Sequence, residues 1–510
     1  MRKFYYFLAG VLFLRLLFAT FIPLIDDEAY HWTWSWGDNL SLSYFDHPAM
    51  IAWLERMSTS LFGATYLGVR LPSFICFVLT TLVFMKIALE MFGEAAAKFV
   101  ALMILFVPIW GFGGHVASPE PPFILCWALG LWVFWQGYRE DIPESKRWSL
   151  QKTWLLLGVI MGLGLNSKFI IAMLAFGFGV YFILTPHRRK DLLTPWPWLG
   201  IVVATLICSP IFIWNIQNDW PGFRYQFHDR HTGETFNLGR GLGFLAAQFL
   251  FYTPSGYVLL VFAFVASFFK IQDSRWRIIL ATALPSLVIF YPQPFFAEYK
   301  PHWSGAAMMI LLLGAGAIWQ EGLTLRGKNL IRAKSRVLKI SLLVFLVPLN
   351  LIIYSPFLGP WWPTAYKWIT GKEDFDTKWD LSNEFYGWEE VGPKAVQVLE
   401  EMKQKEGKDV FLAAHRYETT AQLTWGAKHP VYMLSSTVSH YTVKQKHHGL
   451  LEPLMGQSAV FVASEKYQAN PMEWARWDGC EEERFVTYRM KTKAREFQIW
   501  KCRNFQGIIR

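Results

Sequence analysis

Charge is scarce in this chain. Only 17% of its 510 residues are Asp, Glu, Lys or Arg, while 53% are hydrophobic and 17% aromatic. That is too apolar for an ordinary soluble enzyme, and the polar remainder is too large for a chain wholly embedded in lipid. Cysteine is scarce as well, with five residues. Cys76, Cys126 and Cys208 fall inside apolar runs, where a thiol serves as a small buried hydrophobe, and no CxxC or Cys/His spacing suggests zinc. Internal repeats and low-complexity tracts are absent. The first apolar run is long, carries Arg15 and is followed by no small-residue cleavage site, so Met1 to Ile25 reads as a retained helix. The net charge is +10. The Lys and Arg behind it sit in short loops between apolar runs, so membrane topology accounts for them and no nucleic-acid partner is expected.

What the chain does have is apolar runs of spanning length, about 20 residues each. They lie near 4–25, 71–92, 97–113, 121–138, 153–166, 168–185, 196–214, 242–269, 277–296, 303–320 and 338–357. The 242–269 run is too long for one simple span, and its Pro254 and Gly256 predict a re-entrant or lateral helix before the true one. One set of loops holds Arg2/Lys3, Arg139 to Lys152, Arg188 to Lys190, Lys270 to Arg277 and Arg326 to Arg336. The positive-inside rule makes that set cytoplasmic, with the N-terminus inside and the C-terminal region outside. Every polar cluster of interest then falls on the outer face. Residues 47–62 read as a short amphipathic helix, either lying in the interface plane or on the surface of a folded loop, with Ile51, Leu54, Met57 and Leu61 on one side and Glu55 and Arg56 facing away.

After about residue 370 the composition turns polar. Asp409–Ala414, Val431–Leu434 and Ala459–Ala463 are β-like, 389–405 and 417–427 helical, and Glu483–Tyr488 can pair with Glu496–Lys501 as a hairpin. A small α/β domain follows over 371–510. Cys480 and Cys502 flank that hairpin on the outer, oxidising side, which makes them a candidate disulfide.

Asp26-Asp27-Glu28-Ala29-Tyr30-His31-Trp32 begins where the first apolar run ends, and Tyr44-Phe45-Asp46-His47-Pro48 follows. Acidic residues after a helix can simply mark its stop, with Tyr30, Trp32, Trp34 and Trp36 as interfacial anchors. Crowded carboxylates and a histidine at a membrane face also suit chemistry. A carboxylate can take a proton from an acceptor hydroxyl, and Asp27, Asp46, His47 and Glu120 are candidate ligands for a divalent cation. Ser118-Pro119-Glu120-Pro121-Pro122 is a good helix start or a second acidic contribution. Lys168, after Asn166-Ser167, either snorkels or meets an anion. Arg224, Arg230, Lys300 and His302 lie in two further outer loops. Cations facing carboxylates at an interface fit departure of a lipid phosphate, which needs positive charge as its bond breaks and no general acid. The aromatics would stack on a sugar.

Five motifs carry a resemblance. They are Asp27-Glu28-x-Tyr30; Tyr44-Phe45-Asp46-His47-Pro48 with Trp53-Leu54; Ser118-Pro119-Glu120-Pro121; Gly162-Leu163-Gly164-x-x-Ser167-Lys168; and Pro210-x-x-x-Trp214-Asn215-x-x-x-Asp219-Trp220. In this order, over about residues 5–310, the chain resembles the protein-O-mannosyltransferase-like bacterial glycosyltransferases. That group includes the transferases that put aminoarabinose on lipid A. The resemblance implies a GT-C membrane domain over 1–360 with about eleven transmembrane helices and outer loops 26–70 and 215–240. It implies inverting transfer from a polyprenyl-phosphate sugar to an acceptor outside the inner membrane. Lipid A, lipopolysaccharide or another surface glycan is the first acceptor, and a protein hydroxyl the alternative. Asp27 matches the family's first-loop aspartate and takes the base role, with Glu28 in support. Asp46-His47 stands where the aminoarabinose enzymes have Glu-Lys, and Glu120 where many relatives have Asp. Lys168 matches the lysine that contacts donor phosphate. Tyr30, His47, Arg224, Arg230, Lys300 and His302 are assigned to phosphate or sugar. The rival of another class is a transporter or flippase of a lipid-linked anion, which expects polar residues near the bilayer midplane rather than at one rim.

Overall fold

The computed structural model describes residues 1–227 and 235–509. It divides into two units. The first comprises Met1–Ala19, His47–Leu54 and Arg70–Leu351; the second comprises Thr20–Asp46, Glu55–Val69 and Ile352–Arg510.

The first unit is helical because its sequence is almost continuously apolar, and a backbone in lipid must satisfy its own hydrogen bonds. All eleven expected runs are helical. Among the described residues, Arg2–Phe21, Tyr66–Phe92, Ser274–Phe295, Pro301–Glu321 and Arg336–Leu358 are each long and apolar enough to cross a membrane. Three further candidates are bent pairs: Glu94–Phe106 with Pro108–His115 at 73°, Pro195–Ile207 with Ser209–Gln217 at 45°, and Leu238–Tyr252 with Pro254–Phe269 at 105°. The last break lies at Pro254, as its sequence suggests. Thr253 adopts a positive φ of 64° there, and its hydroxyl accepts from Gly256 N–H at 3.3 Å to start the next helix. The remaining helices are Glu120–Tyr138, Leu150–Leu165 and Ala172–Leu184. Pro301–Glu321 is the most buried of these spans, with 89% of its most apolar 18-residue stretch inside the bundle.

Polar groups inside this unit repair its breaks. Arg15, buried in the first helix, donates to the carbonyls of Leu105 and Gly111, on either side of the kink at Pro108. Asn350 donates to Phe106 O at 2.7 Å. A charged side chain in an apolar bundle is tolerated when it takes over carbonyls that the broken ladder leaves. Leu150–Leu165 and Pro195–Ile207 cross closely. A Cβ at Gly158 would meet Gly200 O at 2.4 Å, and one at Gly162 would meet Ile207 Cβ at 2.7 Å. The pair is a small-residue crossing in which backbones touch. A short hairpin, β1 (Leu323–Leu325) and β2 (Lys328–Ile331), connects the last two spans.

The second unit contains a five-stranded sheet. Its strands are β3 (Val410–Ala414), β4 (Val431–Met433), β5 (Ser458–Ser464), β6 (Gly479–Arg489) and β7 (Thr492–Arg503), in the order β4-β3-β5-β7-β6. The first three are parallel, and β7 and β6 are antiparallel additions. Strand alternation divides β3 between two cores. Val410, Leu412 and Ala414 join a cluster with Val398 and Leu423 from the helices Trp388–Glu406 and Tyr417–Ala427. Phe411 and Ala413 point the other way, onto Phe461, Trp477 and Phe505. Cys480 and Cys502 sit opposite each other on β6 and β7 and are disulfide-bonded.

Two readings of the early loop need correction. Glu55 does not face away from the helix Met50–Phe62: it is fully buried, whereas Met57 and Leu61 are 66% and 77% exposed. Burial, then the nearby Glu28, pushes the Glu55 carboxyl well above its ordinary range, which keeps it neutral. Arg56 is tied to the carbonyls of Ser35 and Gly37. Tyr30, Trp32 and Trp34 do not stand at the surface as interfacial anchors. They are buried in the second unit, where Trp32 meets Trp425 edge-on at 4.8 Å.

Candidate functional site

The first unit builds a carboxylate–cation cluster around Glu120. Glu120 opens its helix with Pro121 and Pro122 in the first turn, where missing N–H groups cost nothing and a negative charge suits the helix end. The ammonium of Lys168, buried beneath it, pairs with Glu120 Oε1. His302 Nε2 lies 3.4 Å from the same oxygen. Burial opposes the charge on Glu120, and Lys168, His302 and His47 favour it. His302 and Lys300 are exposed and His47 is half-buried.

Lys168 is held by a hydrogen-bonded corner. Asn166 Nδ2 donates to Gly162 O at 3.0 Å and to Ile207 O at 2.8 Å, and Asn166 O accepts from Met50 N–H at 2.9 Å. Ser167 Oγ donates to Pro119 O at 2.7 Å, directly before Glu120. The Asn-Ser-Lys tripeptide therefore fixes three other segments while presenting the lysine.

The second unit separates the three adjacent acidic residues. They occupy the first turn of the helix Asp26–Ser35, where successive side chains diverge by about 100°. Glu28 is buried and accepts from Ile25 N–H at 3.1 Å, the reach-back of a capping box. Asp26 accepts from Gln422 Nε2 at 3.2 Å, and the same amide donates to Leu24 O at 2.9 Å. Burial pushes Asp26 up to about 6; Glu384 adds to the rise, and Arg495, Lys466 and Gln422 oppose it. Asp27 is exposed. Burial raises the Tyr417 phenol, and the charges of Asp27, Glu418 and Asp46 reinforce the shift.

Tyr30 fits poorly as a sugar- or phosphate-binding group. It is buried, its hydroxyl donates to Asp46 Oδ2 at 2.5 Å, and it accepts from His440 N–H at 3.1 Å. With both donor and acceptor engaged, it holds Asp46. Tyr417 and Tyr441 pack on its ring at 4.8 and 5.8 Å. Burial, then Lys444, lowers His440 to about 3, so its ring is neutral. His440, Tyr441, Tyr417 and Gln422 were missed by sequence reasoning. Each lies about 400 residues from its partner, and no local spacing marks it.

Arg224 is exposed on the helix Pro221–Phe227. Arg230 lies outside the described residues. Of the residues expected to hold a cation, Asp27 and Asp46 belong to the second unit and His47 and Glu120 to the first. Among the described residues no three His, Cys, Asp or Glu side chains gather to hold a metal ion. Glu120 instead pairs with Lys168 and lies beside His302, and Asp46 accepts from Tyr30.

Comparison with known proteins supports the resemblance seen in the motifs. Residues 46–214, which include Asp46, His47, Glu120 and Lys168, match the family described as dolichyl-phosphate-mannose-protein mannosyltransferase. A lipid A galacturonosyltransferase of Rhizobium johnstonii is 25% identical over 310 residues, 59% of this chain and 62% of that protein. An undecaprenyl phosphate-alpha-4-amino-4-deoxy-L-arabinose arabinosyl transferase of Erwinia tasmaniensis is 26% identical over 190 residues, 37% of this chain and 33% of that one. The match thus spans about three-fifths of the first relative's length and one-third of the second's. The crystal structure of ArnT from Cupriavidus metallidurans in the apo state superposes with a TM-score of 0.63 at 16% identity, covering 98% of both chains. The same protein bound to undecaprenyl phosphate gives 0.62 at 17% identity, covering 98% of this chain and 97% of that one. The fold is the GT-C membrane fold with a C-terminal sheet-containing domain.

Proposed function

We propose that this GT-C membrane protein is an inverting glycosyltransferase that moves a sugar from a polyprenyl-phosphate donor to an acceptor outside the cytoplasm, in a bacterial inner membrane. The observation that carries the reading is the Glu120–Lys168–His302 cluster, of which Glu120 and Lys168 lie within the stretch that matches the mannosyltransferase family. Two relatives with lipid A and undecaprenyl-phosphate chemistry in their names favour a lipid A or lipopolysaccharide acceptor over a protein hydroxyl.

In this reading Asp27 takes the proton of an acceptor hydroxyl. The acceptor oxygen forms its bond to the anomeric carbon as the bond to the phosphate oxygen breaks, and the electron pair leaves with the lipid phosphate. Lys168, with His302, His47, Lys300, Arg224 and Arg230 as further cations, offsets the charge that grows there. Glu120 holds Lys168 in place. Glu28 supports the helix turn that presents Asp27, and Tyr30 positions Asp46. If the acceptor is itself a phosphate, a base is less necessary and loss of Asp27 costs less.

The test is transfer from radiolabelled polyprenyl-phosphate sugars to cell-envelope acceptors, using membranes with the wild type and with Asp27→Asn. Label moving only with the wild type supports the reading and identifies donor and acceptor. Wild-type turnover in Asp27→Asn overturns the base assignment. Absence of transfer across a broad donor panel, with folded protein, favours lipid-anion transport.

A further inference from the structure

The last span ends at Leu358, which is 82% exposed, and a nine-residue helix, Trp362–Thr370, begins after a three-residue link, 359–361. Three residues reach about 10 Å at most, so this helix starts close to the membrane face in whatever direction the link runs. It is amphipathic. Trp361, Ala365, Trp368 and Ile369 recur at i, i+4, i+7 and i+8, while Tyr366, Lys367 and Thr370 share the opposite side. Trp368 is 87% exposed and Ile369 74%. They are adjacent bulky apolar residues on an element that is fixed in place. Arg489 of β6 donates to Pro356 O and to Ser382 Oγ at the junction, and Trp361 Nε1 donates to Ser355 Oγ at 3.1 Å. On the polar side Lys367 pairs with Glu373 at 2.5 Å, and Tyr366 donates to Asp374 at 3.1 Å, so the returning chain ties off that face and leaves the apolar one open.

We infer that Trp362–Thr370 is an in-plane membrane anchor, with Trp368 and Ile369 entering the headgroup–acyl boundary of the bilayer crossed by the preceding span. Tryptophan suits that boundary because its body is apolar and its N–H is not. An apolar face next to a span, with a lysine-bearing polar face turned away, is the pattern of a helix lying on lipid. The partner is a phospholipid surface. This assignment does not depend on the sugar-transfer reading.

The experiment uses the full chain in phosphatidylcholine–phosphatidylglycerol nanodiscs. A spin label is placed at Trp368→Cys, at Ile369→Cys and, as an exposed reference in the turn after the helix Trp388–Glu406, at Lys408→Cys. The native free thiols Cys76 and Cys208 are buried and Cys126 half-buried, and unmutated protein gives their background. Power saturation with oxygen and with a water-soluble nickel chelate then reports depth. The expected result is an oxygen-to-nickel accessibility ratio several-fold higher at 368 and 369 than at 408. Labels at 368 and 369 as open to nickel as the one at 408 would place this face in water and overturn the inference. Labels shielded from both reagents would mean a protein covers the face, and would overturn it equally. If Trp368→Cys does not fold, Ile369→Cys carries the test.

Discussion

The Tyr30 hydroxyl donates to Asp46 Oδ2 across 16 residues of sequence and accepts from the backbone N–H of His440, 410 residues away. One phenol thus connects the acidic loop to the C-terminal sheet domain's own helix, His440–His447. Burial, then Asp46, raises its pKa well above the ordinary tyrosine value, so it stays a donor.

Tyr30→Phe removes that donor and leaves the ring packing intact. A hydrogen bond to a charged group contributes about 1.5–3 kcal/mol, so the melting temperature should fall by several degrees, and with Asp46 released turnover should fall about 10-fold or more. Steady-state transfer assays, split into kcat and KM, check this. A defect confined to KM would mean Tyr30 binds substrate rather than holding Asp46.

Asp26 gives a pH test. Its folded pKa is raised from 3.8 to about 6, so the folded state binds the proton more tightly than the unfolded one. Stability from this group is full at low pH and is lost as pH rises from about 4 through 6. Asp26→Asn should therefore melt higher than wild type at about pH 8, and the advantage should vanish near pH 4. Melting curves of the two proteins across that range measure it. A pH-independent difference would contradict the shift.

Lys168→Met leaves Glu120 without its main cation. Losing one partner of a buried pair costs about 3–5 kcal/mol, and the low end applies because the Glu120 side chain keeps 30% exposure. Adding Glu120→Leu should recover most of that loss in a double-mutant thermal unfolding cycle. Both variants should be inactive. Additive losses would show that the pair is not coupled.

The small-residue crossing makes a sharper prediction about packing. A Cβ at Gly158 lies 2.4 Å from Gly200 O, a backbone atom that cannot step aside. Gly158→Val should destabilise the protein by about 1–3 kcal/mol. Gly179→Val, where a Cβ meets nothing within 4 Å, should be close to neutral. Comparing detergent-solubilised yield and melting temperature tests the pair.

The spans were legible because apolar composition over 20 residues is a local signal, and so were the breaks that proline imposes, as at Pro254. The tail's strands and helices followed from local periodicity in the same way. Side-chain direction near the acidic loop was not legible. Glu55 lies on a helix whose apolar residues Met57 and Leu61 point outward, so the usual rule that apolar positions face the core assigned the wrong side. The tryptophans at 32 and 34 have the composition of an interface belt, and distant residues, Trp425 beside Trp32 and His440 beside Trp34, turn them into core. Glu120 and Lys168 were singled out separately. Their pairing depends on the Asn166 corner, which no sequence spacing reveals.

Strand β6 is the long outer margin of its sheet, and such a margin invites a strand from another molecule. The opposite margin, β4, is only three residues long and offers little to pair with. On β6 the Cys480–Cys502 bond forbids the one-residue slip that would turn its side chains over, and Glu481, Glu482 and Glu483 follow it directly. Many copies sharing one two-dimensional surface meet far more often than they would in bulk water. The covalent bond and the acidic run keep those encounters from growing into edge-to-edge aggregates.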